Sequence, residues 1–113
     1  EKYGITSQIR RSALSVTCNL AEGSGKITGK DKANFSAIAY GSLMETINLM
    51  IVAHEVEMVS KEKLDELRSQ ISEISRMLSG LRNSQLKEKG SLPAEILFRD
   101  KLKNTISHTK FAN

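Results

Sequence analysis

An all-α fold is predicted by three observations: the apolar residues are mostly Leu, Ile, Val, Met and Ala, proline occurs once, and apolar positions recur at three- and four-residue steps. Two Tyr, three Phe and no Trp, in a chain that is 39% apolar, speak against a β-sandwich core. The 113 residues are expected to form one domain. At this size folding buries roughly two thirds of the surface that the unfolded chain exposes.

The first helix is predicted over about 6–23. Thr6 is a plausible N-cap, Ile9, Ala13, Val16 and Leu20 share one face, and Gly23 and Gly25 close the helix. Arg10 and Arg11 lie about 100° and 200° around the axis from Ile9, so at least one must flank or oppose the apolar stripe. There they can pair with a neighbouring subunit or meet an external anion. Cys18 is the only cysteine, which excludes an intramolecular disulfide and a Cys-based zinc site. It is expected to be a small buried hydrophobe.

Residues 24–30 read as a glycine-rich loop with Lys26 and Lys30, and Asp31 is expected to cap a second helix over about 31–58. Its apolar residues do not keep to one stripe. Phe35, Ile38, Ala39, Leu43, Ile47, Met50, Val52 and Val56 are joined by Tyr40, Leu49 and Ile51 on other sides, so this helix must be covered from more than one direction. Gly41, inside it, costs about 1 kcal/mol relative to alanine, and close approach of another helix is the expected reason. Glu45, His54, Glu55 and Glu57 mark where it meets water; His54 lacks a companion ligand or base and reads as a surface or interface histidine.

Ser60 is expected to cap a third helix, over about 60–84. Leu64, Leu67, Ile71, Ile74, Leu78 and Leu81 follow at steps of three and four, an a/d seam of almost three heptads that suits shallow-angle packing inside a bundle. Met77 widens the seam, while Arg68, Arg76 and Arg82 fall on its borders or back. Residues 85–92 read as a connector. Pro93 then suits the first turn of a short amphipathic helix over about 93–107, with Ala94, Leu97, Phe98, Leu102 and Ile106 on one face. So short a helix is stable only if docked. A core at 1–84 and a connector with tail at 85–113 is the resulting division.

Three blocks carry a family resemblance. Tyr3-Gly4-Ile5-Thr6-Ser7-Gln8-Ile9-Arg10-Arg11 with Asn19-Leu20-Ala21-Glu22-Gly23 is the first, Gly41-Ser42-Leu43-Met44-Glu45 the second, and Ile74-Ser75-Arg76-Met77-Leu78-Ser79-Gly80-Leu81 the third. In this order they resemble the four-helix-bundle proteins encoded in intervening sequences of bacterial 23S ribosomal RNA genes. Thr17 stands where that family usually has proline. The resemblance implies an antiparallel four-helix bundle with a further helix ahead of the first block. The chain begins at Glu1 with no room for that helix, so the first family helix is expected to be absent. The tail helix is expected to fill part of its place in the same subunit or a neighbour; a fragment with a loosely attached tail is the alternative.

The resemblance also implies homopentameric assembly. One branch of related proteins comprises accessory proteins that bind the reverse transcriptase of diversity-generating retroelements, so a nucleic-acid enzyme is an implied partner. Charge is compatible with this. The net +4 divides into +3 over residues 1–44, −4 over 45–75 and +5 over 76–113. Arg10, Arg11, Lys26, Lys30, Arg76 and Arg82 are the candidate contacts to RNA or DNA phosphates, and a ring of subunits would multiply their field. For Arg10 and Arg11, interchain salt bridges are an equal alternative.

No base-reading motif is present and aromatic stacking platforms are scarce, so binding is expected to be phosphate-driven. A purely structural, self-assembling protein is the competing reading. An enzyme finds little support: Gly25-Lys26 is followed by Ile27, which breaks the phosphate-loop order, and no nucleophile, carboxylate-pair, metal or cofactor pattern appears. No apolar run approaches the ~20 residues of a membrane span, and no signal-peptide core opens the chain, so a soluble cytoplasmic protein is expected.

Overall fold

The computed structural model describes residues 2–88 and 101–105, and the side chains of the first helix from Gly4 onward. The described residues are helical without strands: α1 (Lys2–Ser24), α2 (Gly29–Glu55), α3 (Lys61–Lys87) and a helical segment at 101–105. The expected helix at about 93–107 otherwise lies outside the described residues.

Four helix ends differ from expectation. α1 already includes Lys2, so Thr6 is an internal residue and not its cap. The α2 cap is Thr28, whose hydroxyl accepts from the Asp31 N–H at 3.1 Å; Asp31 instead supplies first-turn negative charge at the positive helix end. α3 begins after Ser60 as expected, the serine hydroxyl accepting from the Lys63 N–H, but it runs to Lys87. Gln85 is therefore in a helix and not in a connector, because its side chain is buried against α2.

α2 stops at Glu55, not 58, in a Schellman turn. The Met58 N–H donates to the Ala53 carbonyl at 2.8 Å and the Glu57 N–H to the His54 carbonyl at 3.0 Å. His54 Nδ1 pairs with the Val59 carbonyl oxygen at 3.0 Å, so this histidine fastens the turn. Glu57 takes the left-handed position usually given to glycine, with φ of 62°. Glu57→Gly is expected to stabilise the protein by about 1 kcal/mol by removing that cost, read as a rise in Tm.

α2 lies between α1 and α3, as its broad apolar circumference requires. Hydrogen bonds join Ser15 to Ser42 (2.7 Å) and Thr46 to Ser12 (2.8 Å), so numbering rises along α1 as it falls along α2. Asn19 Nδ2 donates back to the Ser15 carbonyl at 2.8 Å, and short side chains along this seam let the helices approach closely. On the other side Ser36 Oγ donates to Gln85 Oε1 and Lys32 Nζ to Glu88 Oε1, each at 2.6 Å, so numbering is again opposed. The core combines Val16 and Leu20 of α1, Ala39 and Leu43 of α2, and Ile71 and Leu78 of α3.

Close approach falls at other glycines than Gly41. A Cβ on Gly23 would sit 2.7 Å from Phe35 Cβ, and one on Gly29 would overlap the Gln85 carbonyl oxygen. A Cβ on Gly41 meets nothing, for this residue lies on the open side of α2. Gly29→Ala is expected to cost about 1–3 kcal/mol through forced backbone displacement. Gly41→Ala, measured in the same urea titration on the monomeric chain, is expected to gain about 1 kcal/mol.

One further expectation is corrected. Cys18 is exposed, because it falls on the face of α1 turned from α2. By length and composition alone α2 is long and apolar enough to cross a membrane, a test that the core helix of a soluble protein also passes. The expectation of no span looked for contiguous apolar residues, whereas here the apolar residues are distributed around α2 and interrupted by polar ones.

Candidate functional site

The a/d seam of α3 is sealed on one side only. Leu64, Ile71, Leu78 and Gln85, seven residues apart, are all buried. The alternate row is more open: Leu67 and Leu81 are half-buried, Ile74 is 41% exposed and the adjoining Met77 46%. Ile74 and Met77 face an apolar cavity of about 330 Å³ between α1 and α3, shared with Val16 and Leu20. Leu102 borders the same cavity and packs against the core, so the described part of the C-terminal segment docks on this chain.

At the far end of the α2–α3 junction lies a buried polar cluster that the sequence did not reveal. Lys32 Nζ donates to Glu88 Oε1 at 2.6 Å, with the two side chains 3% and 1% exposed. Ser36 and Gln85 pair beside them. Glu88 Oε2 is buried without a hydrogen-bond partner among the described residues. A buried lysine is an unusual core residue, and the compensating carboxylate lies 56 positions away in sequence, a separation that no periodicity reports.

The six basic candidates do not form one surface. Arg10 and Arg11 are both exposed, about 100° apart around α1, and neither forms an ion pair among the described residues. Lys26 lies 3.6 Å from Glu22 and 5.2 Å from the centroid of the Phe35 ring, which leaves it partly neutralised. Arg76 is exposed and donates to Ser72 Oγ at 3.0 Å. Lys30 and Arg82 are brought together, although they come from opposite ends of α2 and α3.

They border one open depression of about 380 Å³ with Asp31, Asn34 and Leu86. Arg82 also borders a second depression, of about 390 Å³, with Tyr40, Ser79 and Asn83. Lys30 and Arg82 have no ion-pair partner among the described residues. Tyr40, 37% exposed, is an element that the sequence reading passed over as a core residue. Its position next to Gly41 and one turn from the small Ala37 on α2 was the available signal of an accessible ring.

No curated protein and no solved structure matches this chain. The family model described as 23S rRNA-intervening sequence protein matches residues 1–80, taking in α1, α2 and most of α3. With both helix pairings of the core inside that match, the chain belongs to the 23S rRNA-intervening sequence protein family.

Proposed function

We propose that this protein is a non-catalytic helical-bundle scaffold that self-associates and binds RNA or DNA phosphates, or a nucleic-acid enzyme such as a reverse transcriptase. The observation that carries this reading is the pairing of Lys30 with Arg82 beside one open depression, both without an ion-pair partner among the described residues. Asp31 in the same depression lowers the net positive charge, which favours modest, multivalent binding. Opposed numbering along both helix contacts supports an antiparallel bundle. Packing of α1 and α3 onto α2 supports a soluble, cytoplasmic protein, and recovery in the membrane fraction would count against it.

The test is a salt titration of binding. Each phosphate neutralised adds about 0.7 to the slope of log affinity against log salt for single strands and about 0.9 for duplex DNA. A steep slope with little sequence preference is expected. An affinity unchanged between low and physiological salt would overturn the phosphate reading.

The competing reading is a protein whose assembly is its whole role. It is favoured by the open side of α2, where Ile38 and Val52 are exposed on the face that also carries Gly41 and Glu45. An exposed face with apolar residues beside a glycine fits a second copy, and the resemblance makes a pentamer the expected number. Light scattering coupled to size-exclusion chromatography is expected to give that mass. In an assembly, Gly41→Ala is expected to reduce the assembled fraction, since the added methyl meets the neighbour; a monomer at all concentrations would remove both the assembly and the charged ring.

A further inference from the structure

Two depressions that meet at Arg82 form one groove along the α2–α3 junction. Tyr40 and Asn83 stand at one end, Lys30 and Asn34 at the other, and Arg82 between them. At about 390 and 380 Å³, each depression lies in the ~300–1,000 Å³ range of small-ligand sites. Both depressions are open to solvent, so a short run of nucleotides can lie along them.

The chemistry along the groove alternates. Arg82 and Lys30 supply positive charge, and the N-terminal turn of α2 adds backbone N–H groups and the positive end of the helix dipole. Tyr40 is the more exposed of the two described aromatic side chains and presents a π surface. Asn34 and Asn83 are exposed amides able both to donate and to accept. Cations that track a backbone, with an aromatic face beside them, are the requirements of a single-stranded site. A duplex keeps its bases stacked on one another and would leave the ring without a partner.

We infer that the α2–α3 groove is a single-stranded nucleic-acid site, in which Tyr40 stacks one base while Arg82 and Lys30 hold the flanking phosphates. This rests on the nucleic-acid reading above and adds the strandedness and the stacking residue. Asp31 is its built-in brake: a carboxylate beside Lys30 repels the incoming phosphate.

The chain has two tyrosines and no tryptophan, so Tyr3→Phe leaves Tyr40 as the sole fluorescent side chain of its kind. This variant is titrated at low salt with a twelve-residue oligo(U), a duplex of the same length and polyglutamate. Oligo(U) is expected to quench the tyrosine emission, and the duplex and polyglutamate to leave it unchanged. In the otherwise native chain, Tyr40→Leu is expected to weaken oligo(U) binding roughly 5- to 150-fold, the range for loss of one stacked base. Arg82→Ala is expected to weaken it and lower the salt slope, and Asp31→Asn to tighten it. These last two changes are at exposed positions, so they report even if the Tyr40 variant fails to fold.

Oligo(U) binding without quenching, and indifferent to Arg82 and Asp31, would overturn this site while leaving the nucleic-acid reading standing. Equal quenching by polyglutamate would make the groove a site for acidic peptides and overturn it as well. Absence of binding to any oligonucleotide at low salt would overturn both.

Discussion

Lys32→Ala is expected to lower the free energy of unfolding by about 3–5 kcal/mol, a large part of the ~5–15 kcal/mol that holds a domain of this kind together. The reason is what the substitution leaves behind. The Glu88 side chain is 1% exposed, its Oε1 accepts from Lys32, and its Oε2 has no hydrogen-bond partner among the described residues. Without the ammonium group, a carboxylate must stay buried uncompensated, take up a proton or pull the end of α3 away from α2.

Replacing both members by residues of similar volume behaves differently. Lys32→Met with Glu88→Met is expected to be close to neutral, because neither charge then has to be desolvated. Urea titration of the single and double variants measures the difference. A loss below about 1 kcal/mol for the single variant would show that Glu88 reaches water once Lys32 is gone.

Leu78→Ala is expected to cost about 2–5 kcal/mol, through lost burial and the cavity left behind. Leu78 is 1% exposed and contributes to the core shared by all three helices. Ile74, one step earlier in the same seam, is 41% exposed. Ile74→Ala is therefore expected to cost less than half as much. A comparison at constant m-value separates this from a change in the unfolded state, and equal losses at the two positions would mean that the α1–α3 cavity is sealed in solution by more than the described residues.

Much of the architecture was legible locally. Ser60 as a cap and the seam from Leu64 to Leu81 depend on residues three to seven apart, which a helix places side by side whatever surrounds it. The apolar circumference of α2 likewise required cover on more than one side, and α1 and α3 supply it. The errors lay at ends and exposures. Thr28 competed with Asp31 for the α2 cap and won, since either oxygen satisfies the same rule. Cys18 and Gly41 were judged by residue type, whereas their surroundings depend on which side of each helix is left open.

The candidate site was less legible than the fold. Six basic side chains were visible, but nothing in their spacing distinguished Lys30 and Arg82 from Arg10 and Arg11. Only the packing of α2 against α3 puts the first pair beside one depression, which Arg10 and Arg11 on α1 do not border. Tyr40 gained a role only through its neighbours on α3.

By itself the sequence determined the helical class, the third cap, the α3 seam and the family, since each follows from short-range periodicity or from ordered motifs. The tertiary structure alone decided the Lys32–Glu88 pair, the Gly29–Gln85 approach and the Arg82 groove. These join the first half of α2 to the last part of α3, far apart in sequence, and a contact at that range is set by how helices pack and not by any local preference.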